Sequence, residues 1–502
     1  MKLKRIVALL LVAVLATFAI ASCGADKYTV TFNSNGGSSV ASAEVAKDAT
    51  VTAPAAPTKA GCIFDGWYAD SALTDAWDFA ADKVTKDVTL YAKWISAASV
   101  EASADSALAA APAEITVSAS MSNNGGTPNE NEMTFTADGN NYSRNDIVYV
   151  DGVLYSGNTR KPMSITGAKS RVLSQAAYVL DMCVDFFETV SLTEANGKYT
   201  VTCSGVKESA EDELFEIFGF TNMPEGYNVS IDELSYSFVV SAGKYESMTF
   251  SVVASQSYGE NTMSASINMS ASFDYDAEAV VAPADADSYT WQAMSYGDYV
   301  DVPVDSFVVV EAYIQDKQSW WFDSKAGYGK GTFYLQDSSG GAYFLYELKC
   351  TEEEYNALAI GTRVQLQGYK AEWNGEVEII DATYTIIPYA TYIAQAFDIT
   401  DKLDDESLID YQNRKVAFKG MTVSGEFMYG WNGAGSEGGD LYFKADVDGK
   451  TYTFVVESYL RGADTDVYKA VKALKVGDVI DMEGFLYWYE GAQPHITSVT
   501  VK

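Results

Sequence analysis

Short-range alternation of apolar and polar residues dominates the chain, and this pattern predicts β-strands. In the clearest run the apolar positions are Ala265, Ile267, Met269, Ala271, Phe273 and Tyr275. Small or polar residues fill the positions between them, which is typical of an antiparallel sheet with one face in water. Comparable short runs, rich in Tyr, Thr, Val and Phe and broken by Gly, Asn and Asp, recur from Tyr28 onwards. Because 502 residues exceed what one core holds, we predict a mainly β, multidomain protein.

Helical periodicity interrupts the strands in the middle of the chain. It predicts a helix over Ser170–Val190, a shorter one over Glu211–Phe218 and another around Val100–Ala110. The middle of the chain thus has strands first, then helices, then long antiparallel strands. This order of elements resembles that of the LolA/LprG lipoprotein carriers, whose fold is a curved half-barrel. That resemblance implies an α+β half-barrel with a pocket for acyl chains, and a plain sheet closed by its helices is the alternative.

The C-terminal third contains an internal repeat. Gly361, Gly368 and Gly375 recur as Gly477, Gly484 and Gly491, each 116 residues later. In both copies the pattern predicts three strands, a helix and two strands, with the helices at Thr351–Ala359 and Asp464–Lys475. This order resembles the five-stranded OB barrel. It is similar to the tandem OB-like domains of bacterial surface lipoproteins and of proteins beside secreted nucleases, and it implies a ligand face flanked by the loops between strands one and two and between strands four and five.

The segment from Tyr28 to Trp94 carries a more specific signature. It contains Gly66-Trp67-Tyr68 and, at its end, Leu90-Tyr91-Ala92-Lys93-Trp94. These elements resemble the Listeria–Bacteroides repeat, the internalin-type B repeat of bacterial surface proteins. The resemblance implies a small β-grasp-like module used in surface display and adhesion, without enzymatic activity. In so small a domain we expect the tryptophans at 67, 77 and 94 to belong to the core.

The N-terminus has the pattern of an export signal. Lys2, Lys4 and Arg5 precede an apolar stretch that is short for a membrane span. The sequence Ile20-Ala21-Ser22-Cys23 then resembles the bacterial lipobox. This implies a lipid on Cys23 and a mature chain outside the cytoplasm, anchored to the cell membrane or the envelope surface. An ordinary signal peptide cut nearby is the alternative.

Charge and composition narrow the possible functions. The formal net charge is −35, which repels polyanions, so we do not expect nucleic acid as a partner. His495 is the one histidine, and the sequence contains no G-x-S-x-G or G-x-x-x-x-G-K-[ST] motif. We therefore expect no enzymatic activity, no metal site and no cofactor. Cys183 and Cys203 could form a disulfide if a helix packs on the strand that follows it, but we expect buried free thiols.

Aromatic residues concentrate where the OB resemblance implies ligand loops. The candidate binding residues are Trp320, Trp321, Trp373, Tyr429, Trp431, Trp488 and Tyr489. Flat, rigid rings at loop tips can stack on sugar rings or bases at low entropic cost. Sugar is favoured over nucleic acid because acidic residues outnumber basic ones over Ser306–Lys502, so phosphates would be poorly held there. Packing between neighbouring domains, or capping of the barrel ends, is the alternative role for these rings.

These observations lead to a domain scheme. The predicted segments are a signal peptide (1–22), a lipidated N-terminus (23–27), the repeat module (28–94), the half-barrel domain (95–281), a linker (282–303), OB-like domain 1 (304–388), a connector (389–411) and OB-like domain 2 (412–502). We predict a non-enzymatic surface lipoprotein that binds a glycan or a surface protein through its C-terminal loops. The alternatives are a lipid or glycolipid carrier built on the middle domain, and an accessory to a secreted hydrolase or nuclease.

Overall fold

The computed structural model describes residues 26–220, 224, 226–259 and 261–502. The protein is mainly β, with two closed five-stranded barrels and a curled half-barrel sheet, which confirms the predicted fold class. The predicted signal peptide and the lipidation site Cys23 lie outside the described residues, so the lipid anchor stays a prediction. Within the described part of the chain, every helix is too short or too polar to cross a membrane.

The N-terminal module is a small mixed sheet. Its strands are β1 (Lys27–Asn33), β2 (Ala43–Ala46), β3 (Cys62–Tyr68) and β4 (Val88–Ser96). They are ordered β2-β1-β4-β3, with the central pair β1 and β4 parallel. Trp67 is buried in the core, and Trp77 and Trp94 pack against it, as predicted. The ring of Trp94 lies so close to Gly37 that a side chain there would overlap it, which explains the glycine in this turn.

The middle region is a succession of strands with short helices between them. Its elements are α1 (Ala97–Ala110), β5 (Ala113–Asn123), β6 (Asn129–Asp138), β7 (Asn141–Arg144), β8 (Ile147–Val150), β9 (Val153–Ser156), β10 (Thr159–Pro162), α2 (Ile165–Ala168), α3 (Ala177–Asp181), β11 (Phe187–Ala195), β12 (Lys198–Val206), α4 (Glu211–Ile217), β13 (Tyr227–Ser241), β14 (Lys244–Tyr258) and β15 (Asn261–Asp274). Strands β6 to β10 form an antiparallel meander, and β11 to β15 pair antiparallel in chain order.

The helix predicted over Ser170–Val190 is wrong as a continuous element. The segment contains a π turn (Lys169–Leu173), a 3-10 turn, α3 and a second 3-10 turn, and its end, including Val190, lies in β11. Ser174 adopts a left-handed φ of 54°, which interrupts the helical hydrogen-bond ladder. Most of the apolar positions are nevertheless buried, because short helical turns preserve the one-sided pattern without a continuous helix.

The C-terminal region forms two barrels. Its elements are β16 (Thr290–Trp291), α5 (Tyr296–Asp301), β17 (Phe307–Lys317), β18 (Trp321–Asp323), β19 (Tyr328–Gln336), β20 (Ala342–Lys349), α6 (Glu352–Ala357), β21 (Thr362–Trp373), β22 (Glu376–Thr391), β23 (Phe397–Asp398), β24 (Lys415–Val423), β25 (Met428–Tyr429), β26 (Leu441–Val447), β27 (Lys450–Val456), α7 (Asp466–Ala473), β28 (Val479–Trp488) and β29 (Ala492–Val501).

The two barrels share one topology. Barrel 1 runs β17-β21-β22-β20-β19 and closes by pairing β19 with β17. Barrel 2 runs β24-β28-β29-β27-β26 and closes by pairing β26 with β24. In chain order, the third and fifth strands of each barrel pair in parallel, β20 with β22 and β27 with β29. The other pairs are antiparallel. The helix lies between the third and fourth strands, which confirms the order predicted from the glycine repeat.

The repeated glycines have matching structural reasons. Gly361 and Gly477 adopt φ values of +87° and +97°, a region that favours glycine. Gly368 sits at a register shift between β21 and β22, where a Cβ would lie 2.8 Å from the Ile380 carbonyl oxygen. Gly484 sits at the corresponding shift between β28 and β29, where a Cβ would overlap the His495 carbonyl oxygen. Each barrel therefore requires a glycine, which has no Cβ, at the bend between its fourth and fifth strands in chain order.

The segments predicted as linker and connector are parts of the barrels. In 282–303, Tyr299 and Val302 are buried in the core of barrel 1. In 389–411, Ile399 and Leu408 are buried in the core of barrel 2. Both segments are thus packed against the barrel cores, although neither contains a long alternating run of the kind that predicts a strand.

Contacts within the chain divide it into two compact units. Among the described residues, the first comprises 26–107, 118–131 and those within 181–272, and the second comprises 108–117, 132–180 and 273–502. The repeat module belongs to the first unit and both barrels belong to the second. The predicted half-barrel domain, 95–281, contributes residues to both units.

Candidate ligand-binding site

The two barrels are held together by an aromatic interface. Tyr334 of barrel 1 stacks on Phe485 of barrel 2 with ring centroids 4.3 Å apart. An ion pair joins Asp316 to Arg461 at the edge of this cluster. These contacts fix the loops of one barrel against those of the other.

The turn between β21 and β22 of barrel 1 meets the turn between β28 and β29 of barrel 2 directly across this interface. The backbone N–H of Trp488 donates to Glu376 Oε2 at 2.9 Å. The backbone N–H of Glu490 donates to the carbonyl of Asn374 at 2.8 Å. This contact could not be predicted from the sequence, because the two turns belong to different copies of the repeat and lie far apart in the chain.

An open cleft of about 700 Å³ lies beside the interface. Its lining residues are Gln318, Trp373, Trp431, Asp440, Tyr442, Glu457, Tyr487, Tyr489, Glu490, Gln493 and His495. Trp373, Trp431 and Tyr489 are 53%, 75% and 39% exposed, and the rings of Trp373 and Tyr489 lie 5.1 Å apart. Large aromatic surfaces are thus presented to solvent in a concave site, which is the usual form of a small-ligand pocket.

The structure separates the predicted binding residues into three groups. Trp373, Trp431 and Tyr489 come together in the cleft. Trp321 lines a second cavity. The other three pack against protein, and they are Trp320, Tyr429 and Trp488.

The packed residues have local structural roles. The Trp320 ring covers Gly329 and its Nε1 donates to the carbonyl of Cys350 at 3.1 Å. Tyr429 and Trp488 pack against the core of barrel 2. Trp488 also lies on Gly375 of barrel 1, so its role is the inter-barrel packing that stood as the alternative.

The carboxylates in the cleft, Asp440, Glu457 and Glu490, escaped sequence analysis, and the first two are held by hydrogen bonds. Asp440 Oδ1 accepts hydrogen bonds from the backbone N–H and the hydroxyl of Ser458, at 2.9 and 2.7 Å. Glu457 accepts from the backbone N–H groups of Tyr459 and Leu460, at 3.0 and 2.8 Å. Burial raises the pKa of Glu457 to about 7, and the neighbouring charge of Asp440 acts in the same direction. In so acidic a chain no spacing distinguishes these residues.

His495 is a further group that the sequence did not place in the site. Its ring stacks on Tyr487 at 4.4 Å, and its Nδ1 lies 2.9 Å from the Tyr334 hydroxyl. Burial lowers the pKa of His495 to about 3, so the imidazole is neutral. Burial also raises the pKa of Tyr334, so its hydroxyl keeps its proton and needs an acceptor. Nδ1 is that acceptor, which leaves the proton on Nε2.

This assignment predicts a fixed histidine tautomer. Nitrogen NMR of the full chain should show one imidazole, protonated at Nε2 and unchanged from pH 8 to pH 5, because the pKa of about 3 lies below this range. A Tyr334→Phe variant should lose the tautomer preference. A midpoint between pH 6 and 7 in the wild-type protein would contradict the assignment.

The electrostatic character of the cleft is negative. Asp440, Glu457 and Glu490 line it, and among its described lining residues none is Lys or Arg. A phosphate or carboxylate group entering the cleft would therefore meet like charge without a compensating cation.

A second cavity of about 460 Å³, the side pocket, is lined by residues of the same two barrels. Its lining residues are Gln318, Ser319, Trp321, Thr332, Tyr346, Glu347 and Tyr459. Trp321, Tyr346 and Tyr459 are exposed. Glu347 is paired with Lys330, with the carboxylate and ammonium atoms 2.7 Å apart.

Comparison with known proteins finds relatives of the N-terminal module. A putative Gly-rich membrane protein of Evansella cellulosilytica is 52% identical over 69 residues, which are 14% of this chain and 8% of that protein. Internalin H of Listeria monocytogenes is 39% identical over 70 residues, which are 14% of this chain and 12% of that protein. The chain thus spans about a tenth of the length of these curated relatives.

Among solved structures, the p204 HINb domain aligns with 40% of this chain and all of its own, at 12% identity and a TM-score of 0.22. A replication protein A heterotrimer bound to ssDNA aligns with 62% of this chain and 90% of its own, at 9% identity and a TM-score of 0.17. Similarities this low carry no inference about ligands. The family match is local: the model of the Listeria–Bacteroides repeat domain matches residues 28–93, so this part of the chain contains the repeat that Trp67 and the Leu90–Trp94 run predicted.

Proposed function

We propose that this protein is a non-enzymatic surface lipoprotein that binds glycans in the cleft between its two C-terminal barrels. The observation that carries the proposal is the convergence of Trp373, Trp431 and Tyr489 on one open, concave site. The relevant ligands are neutral or amino-bearing oligosaccharides.

The chemistry of the cleft suits a sugar. A pyranose ring has apolar C–H faces, which stack on flat aromatic rings, and hydroxyl groups at its rim, which need hydrogen-bond partners. Carboxylate oxygens of Asp440 and Glu457, the amide of Gln493 and the Nε2 proton of His495 offer both acceptors and a donor. Exposed rings with polar groups around them therefore match both surfaces of a sugar.

The charge of the cleft restricts the kind of glycan. With acidic residues and no described Lys or Arg in its lining, the cleft disfavours uronic-acid and sialylated chains. The same repulsion, added to the net charge of −35, disfavours nucleic acid. An amino group on the sugar would instead gain from Asp440 and Glu490.

Two features near the N-terminus support a surface location. The repeat domain at residues 28–93 is shared with proteins named as membrane proteins and as an internalin. The lipobox-like segment ending at Cys23 supplies an anchor on the outer side of a membrane. In this proposal the repeat module displays the barrels, and the barrels hold the ligand.

The absence of catalysis is a separate prediction, because Asp440 and Glu457 could in principle act as a carboxylate pair. Both are engaged by the backbone of the turn 457–460, which fixes them as hydrogen-bond acceptors. We expect fluorescently labelled oligosaccharides incubated with the full chain to remain uncleaved. Hydrolysis that disappears in a Glu457→Gln variant would show that the site is catalytic.

A printed array of neutral, amino-bearing and acidic oligosaccharides, probed with the mature full-length chain at physiological salt, tests the proposal. We expect binding to neutral or amino-bearing chains and none to acidic chains. Binding restricted to acidic chains, or to no glycan at all, would contradict it.

A further inference from the structure

We infer that the side pocket is a second subsite, so that the protein binds an extended oligosaccharide rather than a single sugar. This inference rests on the proposed function of the cleft. It assigns a role to Trp321, Tyr346 and Tyr459, which lie outside the cleft.

The side pocket is built to present a ring. Trp321 lies on the short strand β18, paired with Lys330 of β19. The Lys330 ammonium lies 4.9 Å from the centre of the Trp321 ring and is itself held by Asp323 and Glu347. The lysine supports the indole from one side while the side chain remains 42% exposed.

The two cavities share a wall. Gln318 borders both of them. The turn 457–460 also serves both, because Glu457 lines the cleft and Tyr459 lines the side pocket. The backbone N–H of Ser319 donates to the carbonyl of Tyr459 at 2.8 Å, which fixes the segment after Gln318 against this turn. The two cavities are therefore neighbours on either side of this contact, and in our proposal one oligosaccharide reaches from the cleft across Gln318 into the side pocket.

The cavities differ in charge, which indicates what each accepts. Glu347 is the charged residue of the described side-pocket lining, and Lys330 compensates it. The side pocket thus presents aromatic surface with little net charge, whereas the cleft is acidic. A neutral sugar unit suits the side pocket, and the cleft additionally accepts an amino-bearing unit. The ligand class is a neutral or amino-bearing oligosaccharide long enough to occupy both.

Ligand length gives the test. The probes are chito-, cello-, manno- and malto-oligosaccharides of two to eight units, measured by calorimetry on the mature full-length chain. In the wild-type protein we expect affinity in the series that binds to rise about tenfold or more from the shortest to the longest member. A Trp321→Ala/Tyr459→Ala variant should keep the affinity for the shortest member and lose the increase.

A Tyr389→Ala variant is the matched control, since Tyr389 is a fully exposed aromatic of barrel 1 that lines neither cavity. Binding of short members with no gain from length, or a gain that survives in the double variant, overturns the inference and leaves the proposed function intact. Equal loss for short and long members in the double variant, with an unchanged melting temperature, also overturns it. If no member of any series binds, the proposed function fails, and the second subsite fails with it.

Discussion

Replacing Trp373 and Tyr489 together with alanine is expected to reduce glycan affinity at least about 30-fold while leaving the melting temperature within a few degrees of wild type. Each stacked ring contributes on the order of 1–3 kcal/mol to binding of a flat ligand, so losing two removes most of the affinity. Both side chains are exposed in the cleft, and neither belongs to a barrel core. Calorimetric titration and thermal denaturation of the same preparations measure the two effects.

The choice of variant matters because Trp488 is unsuitable as a probe of the site. Trp488 packs on the core of barrel 2 and on Gly375, so its removal would loosen the interface whether or not a ligand binds there. Tyr389→Ala serves again as the control for loss of an exposed ring. Unchanged binding in the Trp373→Ala/Tyr489→Ala variant would remove the cleft as the binding site.

A Gly484→Ala substitution is expected to destabilise barrel 2 by at least about 3 kcal/mol, at the upper end of the cost of forcing atoms into a packed site. The added Cβ would overlap the carbonyl of His495 on β29, and a backbone atom cannot move aside as a flexible side chain can. The bend between β28 and β29 would open, and the stack of His495 on Tyr487 would open with it. Denaturant unfolding followed by tryptophan fluorescence measures the loss.

Gly425→Ala provides a matched control in the same barrel. Gly425 has an ordinary φ, and its added Cβ would meet the Lys444 side chain at 3.8 Å, a normal contact. We expect this substitution to change stability by less than about 1 kcal/mol. Equal stability of the two variants would contradict the close-approach explanation of the repeated glycines.

The barrels could be predicted from the sequence because their determinants are local. Gly368 and Gly484 stand at equivalent bends, and each is required by the backbone of the adjacent strand. A requirement of this kind leaves the same residue at the same offset in both copies, where it can be recognised without any structure. The core tryptophan Trp67 was predictable for a similar reason, since a module of this size has one core to fill.

The site could be predicted only in part, because side chains alternate along a strand. Trp320 packs on its own barrel while its neighbour Trp321 faces solvent, and Trp488 packs while Tyr489 faces the cleft. Adjacent residues at a strand end point to opposite sides, so the two members of each pair have different surroundings although the sequence analysis made both of them candidates. For Trp488 the packing partner includes Gly375 of the other barrel, more than a hundred positions away in the chain.

The polar residues of the cleft could not be recognised from any sequence pattern. Asp440, Glu457 and His495 reach the cleft from three different segments of barrel 2. Their role follows from the fold of the turn 457–460 and from the contact of His495 with Tyr334 across the interface. Neither feature leaves a motif in the chain.

Fluorine NMR of the mature full-length chain labelled with 5-fluorotryptophan, titrated with an oligosaccharide that binds on the array, locates the ligand most directly. The chain contains nine tryptophans, which can be assigned by single substitutions. Our account predicts that the Trp373 and Trp431 resonances shift on binding, joined by Trp321 for long chains, while those of Trp67, Trp77, Trp94 and Trp488 stay in place. Saturable binding that leaves Trp373 and Trp431 unmoved would contradict it.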